Sequence, residues 1–394
     1  MLTAALPPEL VDLAIEEWDA REERYRMLPA RVMAYYTMAC VMNFDASYDE
    51  VWIRLIDGLS WARRHRQRKS AGMLPTTAAL HKGRVRLGWS AMAEILQATT
   101  TRLDLTPHEA PWAYFHGLRI LAIDGFTMNV DHNPQTVEAF GLPANAQGAG
   151  SYPQVRVVAL AEIGSRGLQG AEVAGLGDGE QTLARRLWPH LHAGDVVVGD
   201  RGFLSYTDLQ AIVATGAHAV IRAKAGWDLP VLAVLSDGSW ISRIADPEQS
   251  RRLRRRKVPG HMIPGIRVRV IEYTVATADD TDESEVIRLV TTLTDPQRYP
   301  LVDFPDLYHD RWRLETAIGD IETRLRGGSD VILRSRRPDL IRQEVYALLC
   351  VYQALRAIIA AGADYLGIDP DRVSFTRAKH AAARHSSDDA AFSP

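Results

Sequence analysis

The sequence predicts a mixed α/β fold behind a helical N-terminal segment. Apolar residues recur at helical spacing as far as about residue 105. Near residue 114 the period changes to short β-rich runs separated by Gly, Pro and Asn turns, and helices and strands alternate after that. At 394 residues the chain is long enough for two or three structural units.

Periodicity places helices over 8–19, 29–43, 48–62, 76–87 and 90–98. Ser47 with Glu50 three residues later has capping-box spacing, so the third should begin at Tyr48. Pro75-Thr76-Thr77 opens the fourth, where His81, Lys82, Arg84 and Arg86 make one side basic. It is a candidate DNA-contacting helix; the plainer alternative is a solvated surface helix.

LRILAID, VRVVALAEI and GAEVAGL then read as a three-stranded meander. A helix over 179–192, a strand over 196–198, a helix over 206–215 and the strand HAVIRA follow. The unbroken apolar run at Val196 implies burial on both faces. WISRI, IRVRVIEYTV and EVIRLVTTL make the next stretch β-rich, before a helix carrying Glu315 and another over about 338–361. The resulting division is a helical N-terminal DNA-binding domain (1–112), a core in two parts (113–223 and 295–362), a β-rich insertion between them (224–294) and a C-terminal tail (363–394).

With 46% hydrophobic and 24% charged residues the chain should fold rather than remain disordered. Its start lacks the basic and apolar regions of a signal peptide. The most apolar segment, VYALLCVYQALRAIIAAGA, is interrupted by Gln353 and Arg356 and reads as a buried helix. A cytoplasmic protein without a membrane partner, nucleoid-associated when on DNA, is expected. Cys40 and Cys350 lie in apolar helical context and read as reduced core residues. A net charge of −3 argues against non-specific coating of nucleic acid. Positive charge is instead clustered in Arg63–Lys69, in Arg251–Lys257 and from Arg324 to Arg337. Each cluster is either a local phosphate-binding face or a solvated one.

Tyr308, Arg311 and Glu315 stand at i, i+3 and i+7, which a continuous helix places on one face. Asp124 and Asp200 each close an apolar, strand-like run. Alone, each is more simply an aspartate beginning a turn, and Glu315 a surface residue. Together, two strand-end aspartates and a helix-borne glutamate supply the hard oxygen ligands of a two-metal phosphoryl-transfer site. Without a cation, three converging carboxylates would repel one another.

The motifs AIDGFTMNVDHNP, GEQTLARRLWPHL, GDRGFLS, LVTTLTDP, YHDRWRLETAIGDIETRLRG and VILRSRRPDLIRQEVYALL occur in this order between about 120 and 355, behind PTTAALHKGRVRLG. In these the chain resembles bacterial insertion-sequence transposases of the DDE class, in the insertion sequence four group and of the type common in actinobacteria. The resemblance implies an RNase H-like catalytic core with a β-rich insertion between the second aspartate and the glutamate. It implies Asp124, Asp200 and Glu315 as catalytic metal ligands for two Mg²⁺, with Mn²⁺ able to substitute. Tyr308 and Arg311 match the first members of a Tyr-x2-Arg-x3-Glu-x6-Lys motif that holds transposon-end DNA. The implied reaction is hydrolysis at the element's ends, followed by attack of the 3′-OH on target DNA, by a homodimer bound to terminal inverted repeats. Arg254, Arg255, Lys82, Arg324 and Arg326 are expected as further DNA contacts. Trp227 or Trp240 could stack on a flipped base, core packing being the alternative.

Two residues depart from the pattern. Glu322 stands where the family has lysine, about 10 Å beyond Glu315 on the extrapolated helical stripe, and Arg324 or Arg326 would have to substitute for it. Phe126 replaces the usual threonine. Many relatives also continue beyond the end of this chain. These departures leave open a catalytically decayed or host-adopted DNA-binding protein of the same fold, and an RNase H-fold nuclease is a further alternative.

Overall fold

The computed structural model describes residues 2–18, 20, 28–58, 75–100, 106–145, 148–259, 262–276, 284–328 and 330–384. The basic run Arg63–Lys69 lies outside them. The N-terminal helices are α1 (Pro8–Glu17), α2 (Ala30–Met42), α3 (Tyr48–Gly58), α4 (Thr77–Leu87) and α5 (Ser90–Ala98). Ser47 Oγ accepts the Glu50 N–H at 3.2 Å, so the capping-box spacing fixes the start of α3 as expected. Thr76 caps α4 through the Ala79 N–H. Helix α2 is apolar almost all round and is buried from Val32 to Val41.

The longer strands are β1 (Leu118–Asn129), β2 (Gln154–Glu162), β3 (Leu168–Gly175), β4 (Asp195–Gly199), β5 (His218–Arg222), β6 (Trp240–Ile244), β7 (Ile266–Ala276) and β8 (Ser284–Thr291). They lie in one sheet in the order β3-β2-β1-β4-β5-β8-β7-β6. β4 runs parallel to β1 and β5 parallel to β4, whereas β2 is antiparallel to both its neighbours. The first five strands therefore have the 3-2-1-4-5 order of an RNase H-like core. Between β1 and β2 the short helix α6 (Pro134–Phe140) starts on an Asn133–Thr136 capping box. The β-rich stretch expected as an insertion joins this same sheet. β8 pairs antiparallel with β5 through Val290 and Ile221, which satisfies the edge that β5 would otherwise expose.

Strand β1 is buried on both faces. Ile120 and Ala122 face a core shared with the N-terminal helices and α12 (Pro338–Leu366); Leu121 and Ile123 face a second core with α7 (Glu180–Leu187) and α8 (Tyr206–Ala214). Helix α12 packs against α2 and α5, so the N-terminal segment shares a core with the sheet. It is the one described helix long and apolar enough to cross a membrane, and 78% of its most apolar window is buried inside the protein. Gln353 and Arg356 are buried with it and satisfied. Gln353 bonds Leu168 N and Thr99 O, and Arg356 donates to Ser165 O. Cys40 and Cys350 are buried, free thiols.

The polar tail expected from residue 363 is corrected. Helix α12 continues to Leu366, where Gly367 takes a left-handed conformation (φ 64°), and α13 (Phe375–Arg384) follows. Phe375 is 3% exposed and stacks on Tyr352 at 5.8 Å. Phe375, Ala378 and Ala382, at i, i+3 and i+7, form the apolar stripe that docks α13.

Candidate active site

The register of the parallel strands brings the candidate residues together. Ile123 of β1 is level with Gly199 of β4, and Gly199 with Ile221 of β5. Asp124, Asp200 and Arg222 are the next residues on three adjacent strands, at the carboxyl end where open α/β sheets bind ligands. Asp124 is not at the end of its own strand, since β1 runs on to Asn129 paired with β2. What ends beside it is the β1–β4 pairing, and the sheet opens there.

The third corner comes from α10 (Phe304–His309) and α11 (Trp312–Gly319). The continuous helix expected through Tyr308, Arg311 and Glu315 is broken at Asp310-Arg311, yet all three side chains reach the site. Tyr308 Oη donates to Asp200 Oδ1 at 3.4 Å. Arg311 Nη1 lies 3.2 Å from Asp124 Oδ2 and 2.6 Å from Glu315 Oε1. Its guanidinium is buried between the rings of Tyr308 and Trp312, and its Nε has no hydrogen-bond partner among the described residues.

Burial pushes the Asp124 carboxyl up to about 6; Glu315 and Glu180 push in the same direction, against the Gly125 N–H and Arg311. Burial also raises Tyr308, with Asp200 adding to it. For Arg311 burial acts downward, but Tyr308, Glu315 and Asp124 outweigh it and hold the guanidinium above its ordinary value.

Two neighbours escaped sequence reasoning. Glu180, the first residue of α7, lies so close to Gly125 that a Cβ there would sit 3.2 Å from its Cγ and Cδ. A Cβ on Gly202 would be 4.0 Å from its Oε2, so Glu180 lies between the residues that follow Asp124 and Asp200. Arg156 Nε is 4.0 Å from its Oε1. In sequence Glu180 is only a first-turn acid, stabilised by the helix dipole. Arg222, hydrogen-bonded to Tyr308 and paired with Glu285, ends β5 beside Asp200. Its signal was the parallel register, which a single sequence does not show.

As arranged, no three described acidic, histidine or cysteine side chains lie close enough to hold a metal ion. The Arg311 guanidinium stands between Asp124 and Glu315 and supplies the positive charge the carboxylates need. The donor set itself, all hard oxygens, fits divalent ions such as Mg²⁺ or Mn²⁺.

The other expected DNA contacts are more scattered. Lys82 and His81 are exposed on α4, but Arg84 and Arg86 turn inward, so the basic face is smaller than expected. Arg84 bonds Gln343, Ser335 and Leu340 O, and Arg86 donates to Leu28 O. Arg254 and Arg255 are exposed on α9 (Pro247–Arg255), with Arg254 paired to Asp228. Arg324 is exposed and paired to Asp320. Arg326 is 1% exposed and donates to Gly328 O, a position that presents no surface to a phosphate. Glu322 is off the extrapolated stripe, because α11 gives way to a π-helical segment (Asp320–Leu325) whose wider turn changes the phase. Burial raises the Glu322 carboxyl and Arg326 opposes that rise, so its countercharge is internal. Phe126 is buried in the first core, Trp227 packs against the second, and Trp240 is half-buried in β6.

A family profile described as the insertion element 4 transposase N-terminal region matches residues 1–97, and one described as the transposase DDE domain matches residues 115–354. Transposase InsG for insertion sequence element IS4 of Escherichia coli (strain K12) is 26% identical over 380 residues, covering 94% of this chain and 79% of that protein. The cryo-EM structure of the piggyBac transposase synaptic complex with hairpin DNA aligns over 98% of this chain and 79% of its own, with a TM-score of 0.48 and 8% identity.

Proposed function

The chain belongs to the DDE-domain transposase family, and from that premise we propose that Asp124, Asp200 and Glu315 are its catalytic metal ligands. It is a DNA transposase, a metal-dependent enzyme that cleaves and transfers DNA strands. One observation carries the residue assignment. Asp124 of β1 and Glu315 of α11 meet on the buried Arg311 guanidinium, and Asp200, after β4, accepts from the adjoining Tyr308.

We assign the metal as two Mg²⁺ ions, replaceable by Mn²⁺; bound, they would activate the attacking oxygen and stabilise the leaving one. Asp124, less exposed than Glu315, would be among the carboxylates that hold the metal. Tyr308 holds Asp200 in orientation through its hydroxyl. Arg311 keeps Asp124 and Glu315 together, and with metal bound by these carboxylates its guanidinium would be available to a DNA phosphate. Glu180 adds negative charge on the side where Gly125 and Gly202 leave room for it. The substrate is DNA carrying the element's terminal inverted repeats, bound by a homodimer in the cytoplasm. Exposed Lys82, Arg254, Arg255 and Arg324 supply outer contacts.

The π-helical segment Asp320–Leu325 weighs against the decayed-copy alternative, because it takes Glu322 off the stripe on which the family lysine was extrapolated. The test is purified protein with Mg²⁺, labelled element ends and an unrelated plasmid. A 3′-OH strand-transfer product supports transposition. Cleavage without transfer would reassign the protein as a nuclease, and specific binding without cleavage would make it a decayed copy.

A further inference from the structure

Away from the carboxylates, α4, the loop at Leu333–Arg337 and the start of α12 enclose a cavity of about 380 Å³. Its wall is basic and aromatic, with Tyr36, Tyr48, His81, Arg334 and Arg337 facing in. The cavity is rigidly built. The Glu344 carboxylate accepts the N–H groups of Arg334 and Ser335 at 2.9 and 2.8 Å. Arg84, 6% exposed, bonds Gln343 and Ser335 beneath it, and Asn133 donates to Arg336 O on the outer side.

Arg334 is the unusual member. Its guanidinium lies 4.3 Å over the Tyr48 ring and 5.9 Å from Phe44. Its Nη1 is buried and has no hydrogen-bond partner among the described residues. A buried donor left unmade is costly, and here the group is also charged, held in place by stacking rather than by an anion. Other cations at this rim already have partners: Arg337 pairs with Asp339, and Arg336 lies 3.8 Å from Asp131. Arg334 also lines the cavity, and among the described residues no carboxylate pairs with it, so its guanidinium is the cation there left for a negatively charged acceptor.

The location says which anion. Leu333 N donates to Asn129 O at 3.1 Å, which fixes this loop at the carboxyl end of β1. From Asp124 to Asn129 the strand covers roughly 17 Å at about 3.3 Å per residue. That is about five nucleotide steps of duplex DNA at roughly 3.4 Å each.

We propose that this cavity binds one backbone phosphate of the DNA whose cleaved end lies at Asp124, with Arg334 as its principal donor and His81 at the rim. The assignment rests on the catalytic role given to Asp124 above. It makes the N-terminal helices part of the DNA site through the cavity that α4 and α3 line, in addition to the outer contact of Lys82.

The test neutralises element-end phosphates singly with methylphosphonates and measures binding to wild-type protein, Arg334→Met and His81→Ala in Ca²⁺. For wild type, one neutralised phosphate roughly four to seven nucleotides from the cleaved end should weaken binding about tenfold. Arg334→Met should weaken binding to unmodified DNA by a similar factor and be insensitive to that same modification. His81→Ala changes an exposed residue, so it reports on the cavity even if Arg334→Met fails to fold. It should give a smaller loss with the same reduced sensitivity. Equal sensitivity of wild type and both variants at every position would overturn the proposal while leaving the transposase assignment intact. If wild type bound element ends no better than random DNA, both would fall.

Discussion

Replacing Asp124 with asparagine should stabilise the metal-free protein while removing its response to metal. In the folded chain burial, Glu315 and Glu180 hold the Asp124 carboxyl up at about 6 against an ordinary 3.8. The native state therefore binds more protons than the unfolded state between these values. Stability falls as pH rises through that window and stays low above it. The shift corresponds to about 3 kcal/mol, which asparagine should largely recover at pH 7.5. The assay is urea unfolding in EDTA at pH 7.5 and near pH 4.5, where wild-type Asp124 is mostly protonated and the difference should shrink. Adding Mg²⁺ should then stabilise wild type and leave Asp124→Asn unmoved. A variant less stable than wild type at pH 7.5 without metal would refute the reasoning, because it would mean that Arg311 already outweighs the burial.

Three further substitutions separate the roles at the site. Arg311→Met leaves Asp124 and Glu315 uncompensated and should cost about 3–5 kcal/mol without metal, much of it restored by Mg²⁺ in the same unfolding assay. A loss that Mg²⁺ does not restore would make Arg311 a structural residue only. Glu180→Gln should keep the fold and raise the Mg²⁺ concentration for half-maximal stabilisation several-fold; an unchanged value would remove Glu180 from the site. Glu322→Lys would place a second cation beside buried Arg326, so thermal unfolding should show a less stable protein and cleavage no gain. A clear rise in cleavage would instead show that the family lysine acts on DNA from this position.

Much of the fold was legible because its signals are local. Ser47 and Glu50 mark a helix start by spacing alone, and the apolar runs at Leu118 and Val196 mark strands. The carboxylates could be chosen because strand-end aspartates and a helix-borne glutamate are type-specific in a motif. Features that depend on geometry between segments were not legible. Asp124 looked like a strand end, but it is the neighbouring strand that stops. Arg84 looked like part of a basic face because its partners, Gln343 and Ser335, lie 259 and 251 residues away in sequence. The π-helical segment moved Glu322 off a stripe that assumed unbroken α-helical phase. The docking of α13 was readable from Phe375, Ala378 and Ala382, but its polar surroundings masked so narrow a stripe.

The central claim is that Asp124, Asp200 and Glu315 share one metal site, and iron-directed backbone cleavage tests it without any DNA. Protein loaded with Fe²⁺ in place of Mg²⁺ and treated with ascorbate and peroxide should be cut next to residues 124, 200 and 315 together. All three cuts should weaken in Asp124→Asn and be competed away by Mg²⁺. Cuts confined to one of these segments, or unaffected by the substitution, would contradict a shared site.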